Sequence, residues 1–447
     1  MSKRRRIQAP RGTRDFYPPQ MAVRRHIEAA WRKASIDCGF EEIEGPTFEH
    51  LDLYTVKSGE GIVSELFSFT REGGEDLYAL RPEFTPTLAR MAAAKGRSLA
   101  LPTKWFAIPI HYRAERPQRG RLREFLQWNV DVVGLDAPLG EVEVLEPAIL
   151  ALERLGLGPE DVEIRLSHRD AIAGLLKALG VAEAQVPAAF ELLDRLDRLP
   201  PEEFARRGAA LDLDETAIER LRGLGARRFD LADGAVPIAR ALGVDPTLLE
   251  SLEPLREALE ARGLLPWCRF DPGIVRGLAY YRGIVFELHE RGGGERAVAG
   301  GGRYDGLIAL LDGPDLAACG MGMGDVVLSL ILGDRGLLGE DDGESLMPVP
   351  DAFVIALDDE GAARLPGLVS TLRRAGRHVR HSVRSTRNVG KLLGEANRCR
   401  ARTAILLDGG VAEGRVSLKD LAAGTQREVA LDDLAAMLGE VVTSEAP

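Results

Sequence analysis

The sequence predicts an α+β protein with a mainly antiparallel sheet, a helical insertion and a C-terminal α/β domain. KWFAIPIHYR and REFLQWNVDVVG have strand patterns and flank the loop AERPQRGRL, so they predict an antiparallel hairpin. Residues 168–262 are rich in Ala, Leu, Arg and Glu at helical spacing, with almost no strand signal. Beyond residue 350, strand and helix patterns alternate, which indicates a compact α/β domain.

The N-terminal elements follow from periodicity and turn residues. MAVRRHIEAAWRKASIDCGF has apolar residues at helical spacing, and EEIEGPTF after it has a strand pattern. LYAL, RPEFTP and TLARMAAAK predict a strand, a sharp turn and a helix. After the helical segment, strand patterns return in WCRFD, GIVFELHE and RAVAGGGRYDG, and a helix is predicted from Asp325. We therefore expect one domain over 1–332, interrupted by the insertion 168–262.

The segment 333–350 contains turn residues, an acidic cluster and two prolines, so we expect it to be a linker to a domain over 351–447. Residues 373–402 contain ten Lys or Arg and a single acidic residue, Glu395. A solvated helix face would explain part of this run. Because the charge spans a predicted strand, loop and helix, we favour a polyanionic partner.

Composition excludes several classes of protein. The 447 residues are enough for two to four domains, and a formal charge of −11 excludes bulk electrostatic coating of nucleic acid. Four separated cysteines without a C-x-x-C pair disfavour a zinc ribbon or a disulfide framework. H-x-x-H at 378 and 381 falls on a predicted strand, where the two rings would point to opposite faces, so we expect no metal site. Without an apolar leader or a long apolar run, we expect a cytoplasmic protein with no membrane partner.

The predicted hairpin loop carries the strongest local signal. Five arginines lie within residues 113–123. Charged hairpin tips also protect sheet edges, so the charge alone has two explanations. Function is favoured because Arg113 and Glu115 end the first strand, while Arg121, Gln127 and Asp131 are spaced along the return strand with a period of two. A guanidinium such as that of Arg113 can hold a phosphate with two parallel hydrogen bonds.

Four further motifs have both a structural and a functional explanation. LRPEFT places Glu83 and Thr85 at a turn, where Thr85 could cap a helix starting at Pro86, or Glu83 could accept from an ammonium group. RGLAYYRGIVFE carries Arg276 and two tyrosines that could simply pack. AGGGRYDG resembles a phosphate-cradling loop but matches neither the P-loop nor the dinucleotide fingerprint, so we interpret it as backbone that a ligand approaches closely, with a simple turn as the alternative. The alternating glycines of GMGMGD would leave a strand face flat under a planar group, or allow tight packing.

In order along the chain, RGTRDFYP, LRPEFT, YRAERPQRGRLREFLQWNVD, RGLAYYRGIVFE, GGGRYDGL and GMGMGD resemble the signatures of histidyl-tRNA synthetases. The resemblance runs from about residue 7 to residue 440. It implies the antiparallel-sheet catalytic domain of class II synthetases, acting as a homodimer, with a helical insertion and a C-terminal anticodon-binding domain. It also implies L-histidine, ATP with Mg²⁺, and tRNA(His) as substrates and partners.

The resemblance assigns roles to individual residues. Arg113 and Arg276 resemble the catalytic arginines at the α-phosphate, and Glu115 and Arg121 resemble ATP-binding groups. The residues that resemble histidine-binding groups are Glu83, Thr85, Gln127, Asp131, Arg276, Tyr280 and Tyr281. The loop residues that resemble tRNA-binding groups are Arg116, Gln118, Arg119 and Arg123. Asp131 and Tyr281 would recognise the imidazole, because a carboxylate and a phenol satisfy its donor and acceptor nitrogens.

The chain departs from the common family pattern at four positions. It has Asp131 where Glu is common, Ala279 where Asp is common, and Arg282 where Thr is common. Val327 stands where class II enzymes usually carry an arginine that stacks on adenine. Three functions are alternatives to a histidine-charging synthetase. They are a non-charging paralogue that senses histidine as a regulatory subunit, a tRNA-binding stress sensor, and a class II ligase for another amino acid.

Overall fold

The computed structural model describes residues 7–58, 63, 65–196, 199–275, 281–339, 343–384 and 386–443. The chain forms two compact units, Met1–Leu346 and Met347–Pro447. The boundary between them lies within 333–350, but this segment is not all loop: residues 333 and 334 end a helix, and a 3₁₀ turn at Glu344–Leu346 packs on the N-terminal helix.

The strands of the first unit are β1 (Glu41–Glu42), β2 (Phe48–His50), β3 (Ser68–Thr70), β4 (Leu77–Leu80), β5 (Thr103–Ala107), β6 (Ile110–Tyr112), β7 (Glu124–Val133), β8 (Val162–His168), β9 (Phe229–Asp230), β10 (Cys268–Phe270), β11 (Arg282–Glu290), β12 (Ala299–Arg303) and β13 (Ala318–Gly324). Its helices are α1 (Pro18–Asp37), α2 (Asp52–Ser58), α3 (Thr85–Lys95), α4 (Leu139–Arg154), α5 (Arg169–Ala178), α6 (Val186–Asp194), α7 (Pro201–Ala209), α8 (Glu215–Gly225), α9 (Ala235–Leu242), α10 (Glu253–Ala261) and α11 (Asp325–Asp334).

The main sheet has the strand order β1-β5-β7-β13-β12-β11-β8-β10-β9, and β6 pairs with β7 beyond the end of β5. Every pair from β5 to β8 is antiparallel, whereas β1–β5 and β10–β8 are parallel. Helices α5 to α10 all fall between β8 and β10, with β9 as a two-residue strand among them. The predicted α+β class and the predicted antiparallel hairpin are confirmed.

One face of the main sheet is covered by helices. In α1, Ile27, Ala30, Trp31 and Ala34 recur at helical spacing and are buried. Trp31 stacks on Trp128 of β7, with 5.9 Å between the ring centroids. Because neighbouring residues of a strand point to opposite sides, the alternate residues of β7 project from the other face. Helix α3 packs on one part of that face, and the remaining part, the free face, is left for a ligand.

AGGGR forms β12, as the strand pattern in RAVAGGGRYDG predicted, so the alternative explanations of these residues as a phosphate-cradling loop or a simple turn are wrong. A methyl group built on Gly301 would lie 2.3 Å from the Gly320 carbonyl oxygen and 2.6 Å from Phe286 Cζ. Neighbouring strands therefore leave no room for a side chain at this position. The glycines make close strand packing possible rather than a phosphate-binding turn.

The second unit has strands β14 (Ala352–Ala356), β15 (Val379–His381), β16 (Thr403–Leu407), β17 (Arg415–Asp420) and β18 (Gln426–Ala430), and helices α12 (Asp359–Arg374), α13 (Val389–Arg398) and α14 (Leu434–Thr443). Its sheet order is β15-β14-β16-β17-β18, parallel over the first three strands and antiparallel after them. The sequence did not indicate β18 or α14. Within the described ranges, no helix is long and apolar enough to cross a membrane.

Candidate active site

The free face of the main sheet has a floor of glycines. Gly320, Gly322 and Gly324 of β13 pair with Asp131, Asn129 and Gln127 of β7, respectively. A methyl group on Gly320 would lie 1.9 Å from Asp131 Oδ1, and one on Gly322 would lie 2.0 Å from Gln127 Nε2. The two polar side chains therefore lie flat across the glycines, so the alternation seen in GMGMGD makes room for them.

A row of paired residues crosses the sheet at Asp131. Asp131 pairs with Gly320, and Gly320 pairs with Gly302 of β12. A methyl group on Gly302 would lie 2.9 Å from Tyr281 Cδ1, so the Tyr281 ring covers this glycine. Directly paired residues of antiparallel strands point to the same face. Asp131 and Tyr281 therefore stand on the same face, each over one of two adjacent glycines.

Asp131 is a buried carboxyl group whose two oxygens have different environments among the described residues. Its exposed fraction is 1%, and its Oδ1 accepts a hydrogen bond of 2.7 Å from the Tyr304 hydroxyl. In the described part of the chain, Oδ2 has no hydrogen-bond partner. Burial raises the pKa of Asp131 to about 7, and the hydrogen bond from Tyr304 opposes this rise. A buried acceptor without a partner is costly, so Oδ2 marks a place for a ligand donor.

Gln127 extends the polar side of this face. Its Oε1 is also buried and has no partner among the described residues. Gln127 lines a cavity of about 580 Å³, whereas Asp131, four residues further along β7, lies beyond the edge of that cavity. The two side chains lie along one strand and can contact two parts of one elongated ligand.

The cavity joins the glycine floor to the arginine loop. The residues of the sheet and of α11 that line it are Phe125, Gln127, Arg165, Glu287, His289, Ala299, Gly300, Gly324, Val326 and Val327. The residues from loops that line it are Arg113, Gly120, Arg121, Leu122, Arg228, Arg291, Gly293, Glu295, Arg296, Ala297 and Val298. Most of the charged groups are guanidinium groups, so the cavity suits a polyanion.

Arg113 directly follows β6 and lies at the wall of the cavity. Its Nε donates to the Pro82 carbonyl at 3.2 Å, and its guanidinium carbon is 5.0 Å from the centre of the Phe125 ring. The bond to Pro82 brings the LRPEFT turn, with Glu83 and Thr85, next to Arg113. Neither of these two residues lines the cavity.

Thr85 does not have the capping role that we considered. It is the first residue of α3, and the cap position is Phe84, without a side-chain hydrogen bond to the helix. Capping therefore does not explain Thr85, and a role in binding a ligand has no competing explanation of this kind.

Arg121 is not on the return strand, contrary to the spacing argument. It pairs with Gln118 as an isolated bridge in the loop, three residues before β7 begins at Glu124. The turn between them contains Gly120 at φ +72°, a conformation that side chains disfavour. Arg121 forms an ion pair with Glu115, so the two predicted ATP-binding residues are in contact.

The remaining loop residues have different environments. Arg116 and Gln118 are exposed. Arg119 donates to Glu295 at 2.6 Å, and Arg123 donates to the Glu115 carbonyl at 3.1 Å. Arg116, Gln118 and Arg119 of the predicted tRNA-binding set are thus exposed, whereas Arg123 is partly buried.

The RGTRDFYP motif holds the loop against α11. The Gly12 carbonyl accepts from the Arg123 backbone N–H at 2.8 Å. Arg14 donates to Asp325 Oδ2 at 2.6 Å, and Asp325 Oδ1 accepts from the Leu126 N–H at 2.9 Å. The buried Asp325 therefore links the N-terminal segment, β7 and the start of α11.

Two predicted site residues, Arg276 and Tyr280, lie outside the described residues, as does Ala279. Arg282 is exposed at the start of β11, and nothing in the structure explains its departure from the family pattern.

The sequence did not indicate several residues around the site. Tyr304, whose hydroxyl donates to Asp131, lies in the motif GGGRYDGL, but nothing in that motif indicates that this tyrosine belongs to the site. Arg165 of β8 pairs with Glu287 of β11 across the sheet, and both line the cavity. The period-two pattern in RLSH and FELHE could have shown which residues share a face, but not that the two strands are neighbours.

Comparisons with known proteins identify the family of the chain. Residues 12–324 match the family model for histidyl-tRNA synthetase. The chain is 36% identical over 446 residues to a histidine–tRNA ligase of Opitutus terrae, covering 97% of this chain and 98% of that protein. It is 35% identical over 430 residues to the chloroplastic/mitochondrial histidine–tRNA ligase of Arabidopsis thaliana, covering 96% and 86%.

A histidyl-tRNA synthetase from Nostoc sp. PCC 7120 has a similar fold, with a TM-score of 0.79 at 22% sequence identity, covering 97% of this chain and 99% of that one. That likeness concerns the fold, whereas the family model and the two relatives above identify the family. The chain belongs to the histidyl-tRNA synthetase family.

Proposed function

We propose that this chain is a histidine–tRNA ligase in which Asp131 and Tyr281 select the imidazole of L-histidine. The observation that carries the proposal is Oδ2 of Asp131, which has no partner among the residues that the structure describes and is buried over Gly320 beside the ring of Tyr281 on Gly302. Neutral imidazole has one N–H donor and one acceptor nitrogen. Asp131 accepts from the first, and the Tyr281 hydroxyl donates to the second.

The α-amino group of histidine needs acceptors, which we assign to Glu83, Thr85 and Gln127. Gln127 supports this assignment with its unpartnered Oε1 on the glycine floor. A site of this kind rejects amino acids without both imidazole nitrogens, because its buried polar groups would stay unpaired. We include Tyr280 in the histidine site from the family resemblance alone.

Activation joins the histidine carboxylate to the α-phosphorus of ATP. A carboxylate oxygen forms the new P–O bond, the bond to the β-phosphate oxygen breaks, and its electron pair leaves with pyrophosphate. Arg113 stabilises the charge on the α-phosphate from the cavity wall, and we assign the same role to Arg276. Arg121 and Glu115 bind the outer phosphates and the adenine.

Mg²⁺ fits this site as a companion of the triphosphate. Among the described residues, no group of three or more His, Cys, Asp or Glu side chains could hold a metal by itself. Mg²⁺ needs only one or two protein carboxylates when phosphates supply other ligands, and Glu287 lines the cavity. When bound, it neutralises phosphate charge that the arginines do not cover.

We propose two contact regions for tRNA(His). The terminal ribose hydroxyl attacks the histidyl carbonyl and AMP leaves; the loop residues Arg116, Gln118, Arg119 and Arg123 hold the acceptor end. The domain over 351–447 binds the anticodon through the basic run 373–402, which spans β15, the following loop and α13. Arg384 and Arg387 of that run line a cavity of about 430 Å³. In this scheme 1–332 is the catalytic domain and 333–350 connects the two.

We also propose a homodimer. The rings of Phe48, Phe69 and Tyr78 contact one another on the small sheet β2-β4-β3. Phe48 and Phe69 are 47% and 42% exposed. A clustered apolar surface of this kind marks a contact site, and a second copy is the occupant we propose. Light scattering of Phe69→Arg tests it: loss of the dimer supports this surface, and an unchanged mass excludes it.

We also propose a cytoplasmic location, because the reaction needs ATP and tRNA.

Histidine-dependent exchange of pyrophosphate into ATP tests the ligase function. We expect exchange with histidine alone among the amino acids, and charging of tRNA(His) by the same preparation. Histidine binding without exchange would instead support the histidine-sensing regulatory paralogue.

A further inference from the structure

The end of the cavity farthest from Asp131 is where the base of ATP has to lie. If Asp131 holds the imidazole, the α-phosphate lies next to the histidine carboxylate, and the ribose and base extend away from it. From Gly320 to Gly324, β13 covers about 13 Å away from Asp131 at the usual rise per residue. Beyond it, Val327 lines the cavity together with Gly120 and Arg296.

Helix α11 provides no cation at this end. Its sequence, DVVLSLILGD, contains no Lys or Arg. Val327, its third residue, is 6% exposed, and its Cγ2 would lie 3.4 Å from a methyl group built on Gly120. The helix therefore contributes a small apolar wall.

Arg296 reaches the same place from the sheet. Its Cδ would lie 3.8 Å from the methyl group built on Gly120, so its stem lies beside that glycine as Val327 does. The segment that carries it is fixed: the Val298 N–H donates to the Leu288 carbonyl at 2.8 Å, and the Val298 carbonyl accepts from Gly324 at 3.2 Å. The neighbouring Glu295 accepts the 2.6 Å bond from Arg119, so the loop tip is fastened to this segment.

We propose that Arg296 is a nucleotide-positioning residue that stacks its guanidinium on the base of ATP, at the place where α11 presents Val327. A guanidinium is planar and weakly hydrated, so it packs on an aromatic ring more favourably than an ammonium group does. This proposal rests on the proposed function, because the ligase reaction is what puts a nucleotide in the cavity.

Arg296→Ala tests the proposal in the histidine-dependent pyrophosphate exchange assay with the full-length protein. We expect KM for ATP to rise about ten-fold, in the range of a partly desolvated cation–π contact, with kcat and KM for histidine nearly unchanged. Arg296→Lys should recover only part of the loss. The control is Arg97→Ala, an exposed arginine that does not line the cavity. An ATP KM for Arg296→Ala within two-fold of wild type, at about the precision of such assays, would overturn the proposal.

A second measurement separates the base from the outer phosphates. A sulfamoyl analogue of histidyl-adenylate carries the base but neither the β- nor the γ-phosphate. The Kd of this analogue, measured by calorimetry, should rise in Arg296→Ala by the same factor as KM for ATP. An unchanged Kd would mean that Arg296 contacts the outer phosphates, and it would contradict stacking on the base. If the wild-type protein shows no exchange, the proposed function fails; if only the variant effect is missing, the role of Arg296 alone fails.

Discussion

Histidine affinity should depend on pH more steeply than the titration of free histidine requires. Burial raises the pKa of Asp131 to about 7, so about half of the empty sites carry a protonated carboxyl at pH 7 and about nine in ten at pH 6. Binding needs the ionised carboxylate to accept from the imidazole N–H. It also needs neutral imidazole, whose ordinary pKa is about 6.5, to accept from Tyr281. Affinity is therefore full well above pH 7 and is lost as the pH falls through 7.

The two titrations multiply. Between pH 8 and pH 6, protonation of Asp131 weakens binding about ten-fold and protonation of free histidine about four-fold, so Kd should rise about 40-fold. Calorimetric titration with histidine at both pH values, without ATP, measures this ratio.

The isosteric variant Asp131→Asn has no carboxyl group to titrate, so its histidine Kd should rise only about four-fold between pH 8 and pH 6. At pH 8 it should bind histidine about 100-fold more weakly than the wild type. The exposed Asp136→Asn is the matched control. A wild-type ratio near four would contradict the raised pKa of Asp131, and a wild-type affinity of Asp131→Asn at pH 8 would refute its role in binding.

Three further outcomes are expected. Tyr304→Phe removes the hydrogen bond that opposes the raised pKa of Asp131, so half-maximal histidine affinity should move to higher pH; an unmoved profile would contradict the contact. Arg113→Ala and Arg276→Ala should each cost about 2.7–4 kcal/mol in single-turnover adenylate formation, and a near-normal rate would exclude the assigned role. Neutralising several basic residues of 373–402 should weaken tRNA binding and flatten its salt dependence while adenylate formation persists; unchanged tRNA affinity would refute this contact region.

Local periodicity predicted the parts of the site that depend on a single strand. Gln127 and Asp131 were expected on one face because side chains alternate along a strand, and both lie on the free face of β7. The alternating glycines of GMGMGD indicated a flat strand surface for the same reason. The register with β7 adds that Gly320 lies directly under the carboxylate of Asp131, and Gly322 lies directly under the amide of Gln127.

Features that depend on which strands become neighbours were not predictable from the chain. AGGGR lies in a segment with a strand pattern, but the pattern does not show that Gly301 is required by Phe286 and by the Gly320 carbonyl on the adjoining strands. Arg296 gives no sequence signal because its position depends on how the segment before β12 meets the loop tip at Gly120. The contact between Tyr304 and Asp131 joins residues 173 positions apart, and no periodicity reports such a pairing.

The most direct measurement is a crystal structure of the protein with L-histidine bound. The account predicts one imidazole nitrogen within hydrogen-bond distance of Asp131 Oδ2 and the other within reach of the Tyr281 hydroxyl, with the ring over Gly320 and Gly302. A histidine bound elsewhere, or with its ring nitrogens turned away from Asp131, would contradict the central claim.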